Sequence, residues 1–124
     1  MINADNLEII SSNSFNNTGI KNLLLPSCKK INAHAFRDCK NLEEISLNNC
    51  LEIKDGVFAN CSNLKTLYLL GDELCILTGK AFENTPIGNL EEDAIIYVKK
   101  DMLETYQKET NWCQYFDIIK IYNE

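Results

Sequence analysis

Proline and glycine are scarce, two and five among 124 residues, which excludes a collagen-like chain and a flexible low-complexity linker. No apolar run reaches the length of about eighteen residues that reads as a membrane-spanning helix. A single histidine, no C-x2-C pair and no glycine-rich phosphate loop leave zinc and nucleotide phosphates without a signature, so neither a metal nor a cofactor is expected. Long runs of one charge sign are also missing. The net charge of -6 is spread along the chain and no Lys/Arg stripe is present. A phosphate backbone would be repelled on average, so nucleic acid is a poor partner, and an anionic membrane surface is no better. Met1 to Ile10 lacks the basic start and apolar core of a signal peptide. Two locations follow as expectations: the cell surface or exterior if the sequence is cut from a longer secreted chain, the cytosol if it stands alone.

What the chain does have is an ordinary apolar fraction, abundant asparagine suited to tight turns, and a length that fits one domain, residues 1–124. It also repeats itself. Ile31, Phe36, Cys39, Leu42, Ile45 and Leu47 superimpose without a gap on Ile53, Phe58, Cys61, Leu64, Leu67 and Leu69. An earlier copy runs through Ile10, Phe15, Thr18, Ile20, Leu23 and Leu25, and a degenerate later one through Leu77, Phe82, Thr85 and Ile87. The copies start 21, 22 and 24 residues apart, at Ile10, Ile31, Ile53 and Leu77. Six coincident anchors point to stacked coils, because one coil cannot bury its own edge and its neighbour can.

Within each copy the spacing L-x-x-L-x-L-x-x-C, as in Leu42, Ile45, Leu47 and Cys50, is that of a leucine-rich repeat. Its x-L-x-L-x segment reads as a short strand of period two. Ile45 and Leu47 then point inward, and Glu44, Ser46 and Asn48 point out. Neighbouring strands would pair about 4.8 Å apart. Ile53 to Phe58 would form the opposite wall.

The fuller pattern, with Ala35-Phe36-Arg37-Asp38-Cys39, Val57-Phe58-Ala59-Asn60-Cys61 and Ala81-Phe82-Glu83-Asn84-Thr85 at its core, resembles the BspA-like family of leucine-rich repeats. The resemblance spans roughly residues 9–98, and the tail through Ile96-Tyr97-Val98, Tyr106, Asn111-Trp112 and Ile119-Lys120 is similar to the closing segment of bacterial members. It implies a right-handed solenoid of the α/β superhelix type. About four coils of short parallel strands would be closed by a helical cap over residues 99–124. It also implies a place on the cell surface or outside the cell, and a role in adhesion.

For the cap, one helix is expected near residues 101–109. Asp101 is read as its N-cap, Glu104 as the capping-box partner, Lys108 as the charge near the dipole's negative end, and Met102, Leu103 and Tyr106 as its inner face. Trp112, Tyr115, Phe116 and Ile118 to Ile121 are read as an apolar plug. No such cover is visible ahead of Ile10, so self-association through the N-terminal edge is an alternative.

Candidate sites are few. Cys39 with Cys61 and Cys28 with Cys50 occupy equivalent repeat positions and are read as small buried hydrophobes in ladders. Cys75 and Cys113 fall outside those ladders and are the candidates for exposed thiols. His34 precedes a buried Phe36 and reads as a surface or turn residue, since a nucleophilic Cys–His pair needs an orienting group that no spacing supplies. Glu43-Glu44 and Glu91-Glu92 are adjacent in sequence and so are not opposed as an acid–base pair would be. Asn16-Asn17-Thr18 and Asn60-Cys61-Ser62 match the glycosylation pattern, which arises readily in an Asn-rich chain. No enzyme is expected.

The outward strand positions remain: Asn22 and Leu24, then Glu44, Ser46 and Asn48, then Thr66, Tyr68 and Leu70, then Ile95, Tyr97 and Lys99. Two tyrosines and two leucines among polar groups suit a protein-binding face. The leading expectation is a non-catalytic module that recognises a protein partner through this face. A structural end piece of a longer array and an intracellular interaction protein are the alternatives.

Overall fold

The computed structural model describes residues 2–3 and 6–123, the first two by backbone alone. Met1 to Ile10, read above as lacking a signal-peptide pattern, thus lies partly outside the described residues.

The chain winds through two parallel sheets in alternation. Four-residue strands Asn22–Leu25 (β3), Glu44–Leu47 (β5), Thr66–Leu69 (β7) and Ile95–Val98 (β9) form the centre of one sheet. Ile2–Asn3 (β1) joins one edge of that sheet and Ile119–Ile121 (β10) the other, in the order β1-β3-β5-β7-β9-β10. The opposite wall is a ladder of two-residue strands: Ile9–Ile10 (β2), Lys30–Ile31 (β4), Glu52–Ile53 (β6) and Ile76–Leu77 (β8). The coil-to-coil register is the one expected. Ile31 pairs with Ile53 and Ile45 with Leu67 across adjacent turns. Phe15, Phe36, Phe58 and Phe82 stack face to face with centroids 5.3, 5.8 and 5.5 Å apart, forming a spine through the core. This is a leucine-rich-repeat solenoid with a short helical cap.

Alternation in the four long strands is strict, with every second residue buried, because one face meets the Phe spine and the other meets water. The far wall is made of turns, and their chemistry repeats too. Asn13, His34, Gly56 and Gly79 have φ of 61, 61, 64 and 59°, and Asn17, Asp38, Asn60 and Asn84 have φ of 56, 63, 64 and 58°. Each coil therefore passes twice through the left-handed region, where Asn, Asp and Gly are cheapest. Asn13, Asn17, Asn60 and Asn84 take four of these positions. Asn84 donates to Asn60 Oδ1 at 2.8 Å and Asn60 to Asp38 Oδ1 at 2.9 Å, so the side chains form a ladder of their own. His34 is a turn residue, as expected from the sequence.

All six cysteines are free thiols, and five are buried. Cys39 Sγ–H donates to Phe15 O at 3.1 Å and Cys61 Sγ–H to Phe36 O at 3.1 Å, each tying its coil to the preceding one. Burial and the neighbouring thiols matter here: Cys39 beside it, then desolvation, push Cys61 far up, so it stays protonated. At the equivalent position of the last coil, Thr85 donates to Phe82 O at 2.7 Å and accepts the Gly88 N–H at 2.8 Å. A hydroxyl does both well, whereas a thiol is weak in each role. The expectation for Cys75 needs correction. It is buried and its thiol packs beside that of Cys50, although it directly precedes β8 while Cys50 stands two residues before β6. Cys113 is exposed.

The cap differs from the sequence reading in three details. The α-helix is Leu103–Lys108 (α1), entered through a 3-10 turn at Lys100–Met102. Asp101 lies inside that turn, Met102 takes the N-cap position without a side-chain bond, and Glu104 pairs with Lys108 one turn on. A 3-10 entry satisfies the first N–H groups by itself, so the capping box is not made. Phe116 is 53% exposed, while Trp112, Tyr115, Ile118 and Ile119 are buried as expected.

The plug works by hydrogen bonding as well as by area. The Trp112 indole N–H donates to Cys75 O at 2.7 Å, Asn111 Nδ2 donates to Leu77 O at 2.8 Å, and the Cys75 N–H donates to the Tyr106 hydroxyl at 2.8 Å. Three side chains thus stand in for the strand that β8 lacks on its outer edge, which is how an open edge is closed without another coil.

Candidate functional site

Parallel pairing in register lines up the outward residues into rows across the sheet. One row runs Asn22, Glu44, Thr66, Ile95, and the next Leu24, Ser46, Tyr68, Tyr97, Lys120. In the second row Tyr68 and Tyr97 stack at 5.2 Å with planes 18° apart. Tyr122, just beyond β10, sets its ring edge-on to both, at 5.8 Å from Tyr68 and 5.7 Å from Tyr97. The Tyr122 N–H donates to Val98 O at 2.8 Å, which holds the ring over the sheet.

Beside this cluster is an open groove of about 240 Å³ lined by Leu23, Leu24, Glu44, Ser46, Tyr68, Leu70 and Tyr122. Five residues expected on the strand face therefore converge: Leu24, Glu44, Ser46, Tyr68 and Leu70. Tyr97 supports the groove from behind by stacking on Tyr68. Asn22 and Thr66 flank Glu44 in its row without lining the groove. Asn48 borders a separate polar depression with Gly71 and Asp72; Lys99 pairs with Asp72 at 2.6 Å and, with Lys100, lines an adjoining depression that shares Leu70 and Tyr122 with the groove. Ile95 ends the first row.

Tyr122 is a groove residue that strand alternation does not predict. It follows the last strand, in a tail read only as a plug, and nothing local marks it as a neighbour of Tyr68. Its one sequence signal is the Ile119-Lys120-Ile121 alternation before it, which is a strand pattern of period two.

The groove is apolar on its floor, and among the described residues that line it Glu44 alone carries a charge. Burial, and next the Glu44 carboxylate, raise the Tyr68 phenol, so Tyr68 is a neutral ring with a hydroxyl at ordinary pH. Such a set offers contact area and hydrogen bonds. The Ser46 hydroxyl donates to Asn48 Oδ1 at 3.4 Å.

Among the described residues no helix is long and apolar enough to cross a membrane. The chain matches no curated protein and no solved structure. A family model, BspA type leucine rich repeat region, matches residues 1–104 in six copies. Repeats of this kind are protein-interaction modules and are typically non-enzymatic. The stacked register, the alternating strand face and this match agree, and the chain belongs to the family of BspA type leucine-rich repeats.

Proposed function

We propose that the chain is a binding module that captures a segment of a protein partner on its strand face, with the groove beside Tyr68 and Tyr122 as the anchor point. The observation that carries this is the convergence of Leu24, Leu70, Tyr68 and Tyr122 around one open apolar groove on a rigid sheet. Tyrosines supply large contact area at little conformational cost, and anchors of this type dominate binding energy. Asn22, Asn48, Thr66, Tyr97 and Lys99 form the polar surround in this reading. The face is small, so single-site affinity is modest. Adhesion or host contact at a cell surface is the finer role that the family resemblance supports.

The test is selection of binders from a random displayed-peptide library. Peptides enriched on the native chain should lose at least about tenfold in affinity on folded Tyr68→Ala. If the enriched peptides bind Tyr68→Ala and Tyr97→Ala as well as the native chain, the strand face is not the binding face.

Self-association is a second reading, favoured by the N-terminal end of the stack. Among the described residues Phe15, the first ring of the spine, stacks on one other ring, Phe36. Light scattering over a range of concentrations decides it: mass rising with concentration supports the reading and a constant monomer mass removes it.

A further inference from the structure

Resting on the strand-face reading, we infer that the groove takes a basic segment of its partner, with an arginine or lysine side chain lying along Tyr68 and Tyr122 and its charge beside Glu44. Among the described residues Glu44 is the only charged one that lines the groove. Its neighbours in register, Asn22 and Thr66, are neutral. Other carboxylates nearby already have cations: Glu43 has Lys21 at 3.9 Å, Asp72 has Lys99 at 2.6 Å and Asp93 has Lys65 at 2.8 Å. Among the described residues no lysine, arginine or histidine is within ion-pair distance of Glu44.

Aromatic rings next to an unanswered carboxylate are the arrangement that draws a cation with an aliphatic stem. The stem covers apolar surface, the charge meets the ring face and the carboxylate, and both attractions gain as water leaves. Burial first, and then the Glu44 carboxylate, raise the Tyr68 phenol, so the ring beside Glu44 stays neutral. Lys120 stands across from Tyr97, on the other side of the tyrosine stack from Glu44's strand. The net charge of -6 favours encounter with a basic partner over an acidic one. A volume of about 240 Å³ admits a long side chain.

The probe is the peptide acetyl-Gly-Leu-Arg-Leu-Gly-amide against its Gln-for-Arg twin, each titrated into the ¹⁵N-labelled full chain by NMR. The Arg peptide should give saturable shifts at the amides of Ser46, Tyr68, Leu70 and Tyr122. The Gln peptide should bind about fivefold more weakly at the same amides, in line with a partly exposed cation site. Glu44→Gln, its fold checked by the same spectra, should abolish the difference between the peptides, and Tyr122→Ala should weaken the Arg peptide. Equal affinity of the two peptides at those amides overturns the cation preference while leaving the groove as a binding site. Absence of shifts there with either peptide also overturns it, and the library selection then judges the strand face by itself.

Discussion

The imidazole of His34 lies over Gly56 so closely that a Cβ added to the glycine would overlap Nδ1 and Cε1. Both residues occupy the same left-handed turn position in adjacent coils, with φ of 61 and 64°. The coil that carries the larger residue therefore requires the smallest one in the coil above it. His34 Nδ1 is buried there without a hydrogen-bond partner.

Gly56→Ala should accordingly destabilise the chain by more than the about 1–2 kcal/mol that a left-handed alanine costs, because the ring must also move. In a His34→Gly background the same substitution should cost only the backbone share. Urea unfolding of the four chains in this cycle measures the coupling. Strictly additive effects would show that the overlap carries no energy.

Asn60 illustrates the second turn ladder, where the backbone conformation outweighs the side-chain bonds. Asn60→Gly should be tolerated better than Asn60→Ala by about 1 kcal/mol, since glycine enters the left-handed region freely. Thermal or urea unfolding gives the order. Alanine equal to or better than glycine would mean that the Asp38 and Asn84 contacts, and not the turn, explain the asparagine.

At the capped end, Tyr106→Phe removes the acceptor for the Cys75 N–H and leaves a buried donor unpaired. A loss of about 1–3 kcal/mol is expected, with faster hydrogen exchange at the Cys75 amide. Trp112→Phe should instead leave that amide's bond in place and lose the one to Cys75 O. Unchanged exchange at Cys75 in Tyr106→Phe would refute the edge-closure account.

Thiol labelling separates the cysteines. Native protein should take up one equivalent of iodoacetamide, at Cys113, and all six after denaturation. Cys61 in particular stays protonated and buried, so raising the pH to about 9 should not expose it to label. Two or more native labels would mean that the thiol ladders open on the labelling timescale.

Much of the solenoid was readable in one dimension because its determinants are local and periodic. Ile31, Phe36, Leu42 and Ile45 recur at the same interval as Ile53, Phe58, Leu64 and Leu67, and only stacked coils bury both sets. Strand alternation likewise names the outward residues without reference to anything distant. The same reading placed Cys75 outside the ladders, because it follows Cys50 by 25 residues where Cys50 follows Cys28 by 22, and packing absorbs that shift where counting does not. It also set the helix N-cap at Asp101, since a 3-10 entry has no separate sequence signature.

What the amino-acid order settled by itself is the period, the inside and outside of each strand, and the membership of the spine. Tertiary structure alone decided which outward residues meet. Tyr122 reaches Tyr68 only because the cap doubles back and lays β10 beside β9, and Trp112, Asn111 and Tyr106 reach β8 across more than thirty residues for the same reason. Local periodicity sets the direction in which a side chain points. The path of the chain between distant elements is set by the burial they achieve together, and no interval within the sequence encodes that sum.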